Sequence, residues 1–275
     1  MKLALVKSLW GVPASGAPSA WDEMFAKISS DGFAAVETIA LVWGQDAELF
    51  KSLLKRHGLR FITQLHTDGG YLKDGEYVYC SSCNVEDHVA SFRSQLMAAL
   101  NMGPAVVNVH SGHDSWTTSQ AASYFRQVLD IEKEIVDPNV TIVVHETHRQ
   151  RLMFNPYQTL ELLNNPDLAD LKLNADLSHW VCVCERLFDD AGRDPWWPSL
   201  LQQVAQRCYL IHARIGHAEG PQVFDPRRTD LFETEIKSHL RWWNVIWDSQ
   251  ADRGLEYSFV ETEHGPEPYQ SYFPL

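Results

Sequence analysis

Short apolar runs rich in valine, isoleucine and leucine alternate with longer amphipathic segments along the whole 275-residue chain. This alternation predicts an α/β protein whose parallel strands are joined by right-handed helical crossovers. Eight strands are predicted, at residues 2–9, 33–40, 59–66, 105–111, 140–147, 171–177, 208–214 and 256–263. Helices are predicted between them, near residues 20–30, 45–57, 85–102, 117–136, 156–164, 196–206 and 231–252.

Eight strand–helix units in a chain of this length match a (β/α)8 TIM barrel that forms a single domain over residues 1–275. An open doubly wound sheet would show the same local pattern. Its dinucleotide-binding form would need a Gly-x-Gly-x-x-Gly motif after the first strand, whereas residues 11–18 read GVPASGAP. We therefore favour the barrel, in which the chemistry is expected at the C-terminal ends of the strands.

Charge and composition restrict the partners of the protein. The chain has 23 Lys and Arg residues against 36 Asp and Glu residues, a net charge of −13, which would repel a nucleic-acid backbone. No run approaches the roughly 18 apolar residues of a membrane span, and Lys7 interrupts the N-terminal apolar run, so we expect neither a span nor a signal peptide.

The five cysteines are too few for a disulfide scaffold, which favours a cytoplasmic protein. We interpret Cys80-x-x-Cys83, which has no second such pair, as structural or incidental.

Side chains that can bind a metal or transfer a proton stand at the ends of successive predicted strands. They are His66, His110, Glu146, Asp176, His212, Glu261 and Glu263. Burying such groups costs free energy unless they are paired or bound to a cation, so the whole set calls for one explanation. Because neighbouring strand ends converge in a closed barrel, we expect one divalent cation to be shared by the last four strands.

The ligands expected for this cation are Glu146, Asp176, His212 and Glu263. Three carboxylates and one imidazole suit Mn²⁺, Mg²⁺, Co²⁺ or Zn²⁺ with coordination positions left open for substrate. Glu261 faces the same side of its strand as Glu263, and we favour Glu263 because it lies nearer the strand end. The pattern also leaves room for a second ion held by His66 or His110.

Five segments, in this order, resemble the xylose isomerase-like TIM-barrel superfamily, which includes sugar phosphate isomerases and epimerases and the AP endonuclease family 2. The segments are GFAAVET, VVHETHR, NADLSHW, IHARIGH and FVETEHGPEPY. The resemblance implies the same four metal ligands, on the strands that carry Glu146, Asp176, His212 and Glu263. It also implies that His179 and Arg214 lie on the substrate side.

The resemblance further implies an isomerase or epimerase that acts on a sugar or a related polyol ketone. A metal-chelated carbonyl is polarised, which acidifies the adjacent C–H and allows proton abstraction through an enediolate. Glu146 and Glu263 are then the candidates for proton transfer on opposite faces of the sugar. The candidate substrate-binding residues are His66, His110, His148, His179, Arg214 and Glu261. Glu37, at the end of the second predicted strand, is either a structural residue or a partner of the ligands or the substrate.

Three other functions fit parts of the pattern. A dehydratase or lyase acting on an inosose or a 3-keto sugar would begin with the same proton abstraction. An endonuclease IV-like phosphodiesterase would use the additional histidines, but the Asp-x-His expected after the seventh strand is missing from GHAEGPQVFDPRRT, and the net charge opposes DNA binding. A non-catalytic sugar-binding barrel should have lost ligands, and none of the four is lost.

A carbohydrate substrate is therefore the expected small-molecule partner, and a second copy of the chain is the expected protein partner. The predicted helix 231–252 contains Trp242, Trp243 and Trp247, which is more aromatic surface than one helix needs against a barrel. Such a surface favours a homodimer.

Overall fold

Eight parallel strands close into a barrel in the computed structural model, which describes residues 1–39, 46–68, 71–73, 76–78, 84–189 and 192–266. The strands are β1 (Lys2–Ser8), β2 (Ala35–Ile39), β3 (Arg60–His66), β6 (Val106–His110), β7 (Ile142–Glu146), β8 (Leu173–Ala175), β9 (Cys208–His212) and β10 (Tyr257–Glu261). Two further strands, β4 (Tyr71–Lys73) and β5 (Glu76–Val78), pair antiparallel as a hairpin outside the barrel. The barrel order is β1-β10-β9-β8-β7-β6-β3-β2, as expected of a (β/α)8 TIM barrel.

Helices connect the barrel strands and cover the barrel. They are α1 (Trp21–Ser30), α2 (Ala47–Arg56), α3 (Val85–Leu100), α4 (Thr118–Ile135), α5 (Pro156–Leu163), α6 (Ser178–Cys184), α7 (Trp197–Arg207) and α8 (Thr229–Asp252). Local signals set their starts: Thr117 and Gln120 form a capping box at α4, and the Asn84 and Asn155 side chains cap α3 and α5.

The predicted single-domain barrel is confirmed, and each predicted strand and helix has a counterpart. Most elements are shorter than predicted by one to four residues, since hydrogen-bonded pairing ends before the apolar pattern does. The β4–β5 hairpin and α6 were not predicted. Two predicted elements end at positions that lie outside the described residues, namely residues 40 and 45. The pair Cys80 and Cys83 also lies outside them.

Side chains that face the barrel interior change character along the strands. The N-terminal part of the interior is filled by a cluster of apolar residues: Ala4, Val6, Ala35, Ile62, Val106, Val144, Leu210 and Phe259. Two residues further along the same strands, the inward positions are Glu37 on β2, Asn108 on β6, Glu146 on β7, His212 on β9 and Glu261 on β10. All five side chains are buried. Polar groups therefore replace the apolar packing on the side of the barrel where the strands end.

Aromatic packing joins α7 to α8. The Trp197 ring lies 4.8 Å from that of Phe188 and 5.0 Å from that of Trp242, measured between centroids. Trp242 and Trp243 are buried in the core, and Trp247 packs against it partly buried. This aromatic surface is thus used within one copy of the chain, so it does not support the expected homodimer, which stays a prediction. Within the described ranges, we find no helix with the length and apolar composition needed to cross a membrane.

Candidate active site

Four side chains from the last four barrel strands meet at the C-terminal mouth of the barrel. Glu146 ends β7, Asp176 follows β8, His212 ends β9 and Glu263 lies two residues beyond β10. One nitrogen or oxygen atom from each lies within 4.8 Å of the others, and all four residues are buried. These are the four residues that the sequence predicts as metal ligands.

The atoms at the centre of this group point towards a common space. His212 Nδ1 is 2.9 Å from Glu263 Oε2 and 3.6 Å from Glu146 Oε1. None of these three buried atoms has an aligned hydrogen-bond partner in the described part of the chain. Buried polar atoms left in this way are costly unless a further group completes them. Carboxylate oxygens and one imidazole nitrogen are suitable ligands for a divalent cation, so the residues fit such an ion.

Asp176 is held in place by the start of α6 and by an arginine. Its Oδ1 accepts a hydrogen bond from the Ser178 backbone N–H at 3.0 Å and another from the Ser178 hydroxyl. Its Oδ2 accepts one from Arg214 Nη2 at 2.6 Å. Burial raises the pKa of Asp176 to about 7, although Arg214 acts in the opposite direction. A divalent cation would therefore be needed to keep this carboxylate fully ionised at neutral pH.

Glu146 and Glu263 are both ionised at neutral pH. Burial opposes ionisation of Glu146, but His110 and His212 hold its pKa well below its usual range. Burial opposes ionisation of Glu263 too, and Arg214 and His212 lower its pKa. The backbone of Glu263 has a φ of +28°, a strained conformation for a residue with a side chain, and such strain persists where the surrounding structure enforces it.

A second group of polar residues lies beneath the proposed ligands. Glu37 and Glu261 form a set with His212 in which the ligand atoms also lie within 4.8 Å of one another. Burial opposes ionisation of Glu37, but His212 lowers its pKa to about 2. Burial raises the pKa of Glu261 well above its usual range, and the neighbouring Glu37 charge raises it further. Glu261 is therefore a neutral acid next to an ionised Glu37. The ligand set that includes Glu146 and Asp176 contains Glu263 and not Glu261.

Four imidazole rings form a continuous row along one side of the mouth. The ring centroids of His66 and His110 are 4.2 Å apart, those of His110 and His148 are 4.5 Å apart, and those of His148 and His179 are 3.9 Å apart. Burial lowers the pKa of His66, His148 and His179 well below its usual range, so these three rings are neutral at pH 7. Neutral imidazoles can accept hydrogen bonds from hydroxyl groups or bind a cation. His110, Glu146 and His148 form a third set whose ligand atoms lie within 4.8 Å.

The structure brings together all the residues that the sequence assigns to the site. Two of these residues, Arg214 and Glu146, have partners that the sequence did not predict. Arg214, predicted to bind substrate, donates from Nη2 to Asp176 and to His179 Nε2, at 2.6 Å in both cases, and also lies 3.4 Å from Glu263 Oε2. The sequence reasoning missed Asn108, whose Nδ2 donates to Glu146 Oε2 at 2.6 Å. A polar residue in the middle of the apolar strand VVNVH was the signal that could have identified it.

Comparisons with known proteins agree with this architecture. Residues 25–229 match the family described as xylose isomerase-like TIM barrel. The fold is similar to that of the probable 3-DHS dehydratase AsbF of Bacillus anthracis, involved in petrobactin synthesis, with 18% identity, a TM-score of 0.58 and coverage of 98% of this chain and 94% of that one. No curated protein sequence matches the chain.

Two further solved structures share the fold. The apo form of 3-keto-D-glucoside 4-epimerase, YcjR, of E. coli has 12% identity and a TM-score of 0.56, with coverage of 97% of this chain and 94% of that one. An AP endonuclease of family 2 from Brucella melitensis has 16% identity and a TM-score of 0.52, with coverage of 97% and 93%. At such identities the likeness shows a common fold and leaves function to the site itself.

Proposed function

Since the chain belongs to the xylose isomerase-like TIM-barrel family, we propose that it is a divalent-metal-dependent enzyme that isomerises or epimerises a sugar or a related polyol ketone. The proposed ligands are Glu146, Asp176, His212 and Glu263. The observation that carries the proposal is the convergence of one ligand atom from each of these buried residues within 4.8 Å at the barrel mouth. Similarity of fold to 3-keto-D-glucoside 4-epimerase supports the carbohydrate class.

When bound, the cation would polarise a substrate carbonyl and stabilise the negative charge that develops on its oxygen. Glu146 and Glu263 are the proposed proton carriers, because both are ionised and each has an oxygen that faces His212 Nδ1 at the mouth. One carboxylate would remove the proton next to the carbonyl. Return of a proton to the other face of that carbon inverts it, and return to the neighbouring carbon moves the carbonyl.

The remaining residues would orient the substrate. The neutral rings of His66, His148 and His179, together with His110, line the side of the mouth next to Glu146, where they can hydrogen-bond sugar hydroxyls. Arg214 contacts Asp176 and Glu263, so we propose that it holds these ligands in addition to any substrate contact. Glu261 is fully buried beneath the ligands, and we propose that it supports them from there.

The test measures isotope exchange as well as products. Purified protein is stripped with EDTA, resupplied separately with Mn²⁺, Mg²⁺, Co²⁺ or Zn²⁺, and incubated in D₂O with a panel of ketoses and inososes. We expect deuterium at the carbon next to the carbonyl in metal-loaded protein and none in stripped protein or in Glu146→Gln. Full turnover after stripping would refute the metal role, and turnover without deuterium incorporation would refute proton abstraction. Cleavage of abasic-site DNA in the same samples would favour the phosphodiesterase instead.

A dehydratase is the second candidate, favoured by the neutral His148 ring beside His110 and Glu146 and by the similar fold of a probable 3-DHS dehydratase. Elimination needs a group that takes the proton from the carbon next to the carbonyl and then gives it to the departing hydroxyl, and a neutral imidazole at the mouth can do both in turn. Mass spectrometry of the products separates the two candidates, because isomerisation conserves the substrate mass and elimination removes one water.

A further inference from the structure

Glu37 contacts one proposed ligand, His212, and Asn108, the partner of another, although it does not belong to the proposed ligand set. It faces the barrel interior from the middle of β2, lies fully buried beneath the centre, and accepts hydrogen bonds from His212 and Asn108. We infer that Glu37 is a positioning residue that orients His212 directly, and Glu146 through Asn108, for the divalent cation. This inference rests on the proposed metal role of the centre.

The contact with His212 settles which ring nitrogen is available to a cation. His212 Nε2 lies 3.1 Å from Glu37 Oε2, and both side chains are fully buried. The opposite nitrogen, Nδ1, faces Glu263 Oε2 and Glu146 Oε1. A carboxylate that accepts a proton from one imidazole nitrogen leaves the lone pair of the other nitrogen for a metal and fixes the orientation of the ring.

The contact with Asn108 extends the same control to a second ligand. Asn108 Nδ2 donates to Glu37 Oε1 at 3.2 Å and to Glu146 Oε2 at 2.6 Å. The Asn108 amide is therefore shared between the two carboxylates, and Glu146 Oε1 is left facing the centre. Glu37 accepts at both of its oxygens, which a carboxylate can do and a glutamine, with one acceptor oxygen and one donor nitrogen, cannot.

The alternative is that Glu37 is itself a ligand, because Glu37, His212 and Glu261 also bring ligand atoms within 4.8 Å of one another. Both Glu37 oxygens already accept from Asn108 and His212. The upper group, which consists of Glu146, Asp176, His212 and Glu263, brings four ligand atoms together, whereas the group with Glu37 brings three. The upper group is thus the better place for the ion, and Glu37 lies behind it.

The chain offers a matched control. Glu132 on α4 is also a buried glutamate whose carboxylate lies 2.9 Å from an imidazole nitrogen, His145 Nε2. His145 faces outward from β7, and its Nδ1 lies 2.6 Å from the Ser111 hydroxyl, so this ring does not face the centre. Glu132→Gln therefore makes the same change in the same kind of pair without touching the proposed ligands.

The experiment is calorimetric titration of EDTA-stripped wild type, Glu37→Gln, Glu132→Gln and Glu263→Gln with Mn²⁺ and with Zn²⁺, after circular dichroism has confirmed folding. We expect Glu37→Gln to weaken binding by about 10- to 100-fold, the usual effect of losing a partner of a metal-bound histidine. Glu132→Gln should bind as the wild type does.

Binding by Glu37→Gln within about twofold of the wild type would overturn the inference. Loss as complete as that in Glu263→Gln would also overturn it, because Glu37 would then be a ligand. Wild-type protein that binds neither ion would overturn the proposed function, and this inference with it. If Glu37→Gln does not fold, ¹⁵N imidazole NMR of the Zn²⁺-loaded wild type decides: a proton on His212 Nε2 and the metal on Nδ1 are expected, and the opposite arrangement refutes the inference.

Discussion

Protonation of one buried histidine should make the protein less stable in mild acid. His239 on α8 is fully buried between hydrogen bonds that require a neutral ring: Nδ1–H donates to the Glu235 carbonyl at 2.8 Å, and the Gly216 N–H donates to Nε2 at 3.3 Å. A proton on Nε2 would face the Gly216 donor in an apolar setting, 4.9 Å from the Trp242 ring. Burial accordingly lowers the pKa of His239 from 6.5 to about 4.

The size and direction of the effect follow from linkage. Because the unfolded chain takes up this proton at a higher pH than the folded protein does, the contribution is fully present above pH 6.5. It decreases as the pH falls through 6.5 towards 4. The gap of about 2.5 between the two pKa values corresponds to about 3.4 kcal/mol in total, of which about 2 kcal/mol should be lost by about pH 5.

Urea unfolding of EDTA-stripped wild type and His239→Gln at about pH 8 and about pH 5 tests this magnitude. The glutamine oxygen can accept the Gly216 hydrogen bond but does not titrate. The variant should be less stable than the wild type at the higher pH, since it loses the ring contacts with Trp242. It should then lose about 2 kcal/mol less than the wild type on acidification, with contributions from the other carboxyl groups cancelling in the difference. Equal losses in the two proteins would refute the reasoning.

Three further outcomes concern the centre and the core. Asp176→Asn and Glu146→Gln should each lower turnover by about 10²- to 10⁴-fold. Glu146→Gln should also lower the free energy of unfolding of stripped protein at neutral pH, because His110 and His212 stabilise the ionised Glu146 carboxylate, and an unchanged or higher value would contradict this. Adding Mn²⁺ at about 100 times its dissociation constant should stabilise wild type by about 2.7 kcal/mol in thermal unfolding, and an equal gain in Glu263→Gln would refute the ligand assignment. Trp197→Ala should cost about 3–5 kcal/mol of stability without changing metal affinity, and a cost below about 1 kcal/mol would show that its aromatic cluster is not part of the core.

The strands and helices were predictable because their signal is local. Inward and outward alternation on each strand identifies the core face, and the capping residues before α3, α4 and α5 mark helix starts. The β4–β5 hairpin was missed because its strands have three residues each. Helix α6, with the sequence SHWVCVC, was missed because seven residues rich in valine and cysteine have no helical period.

The proposed ligands were predictable for a different reason, namely that barrel closure brings neighbouring strand ends together. Each of Glu146, Asp176 and His212 lies at a strand end that can be read from the sequence. The contact between Glu37 and His212 joins residues 175 positions apart on strands that are not neighbours, so it depends on how side chains meet across the barrel. Strand pairing alone does not give that distance, and for this reason the sequence left the role of Glu37 open.

The polar layer at the barrel mouth links the stability of this protein to the proposed ion. Five carboxyl groups are buried there: Glu37, Glu146, Asp176, Glu261 and Glu263. In stripped protein, the described side chains that offset their charge by direct contact include His212 and Arg214. The raised pKa values of Asp176 and Glu261 show that this compensation is incomplete, so two groups tend to remain protonated. A divalent cation would supply the missing positive charge where the unpartnered atoms point, so binding and folding should stabilise each other.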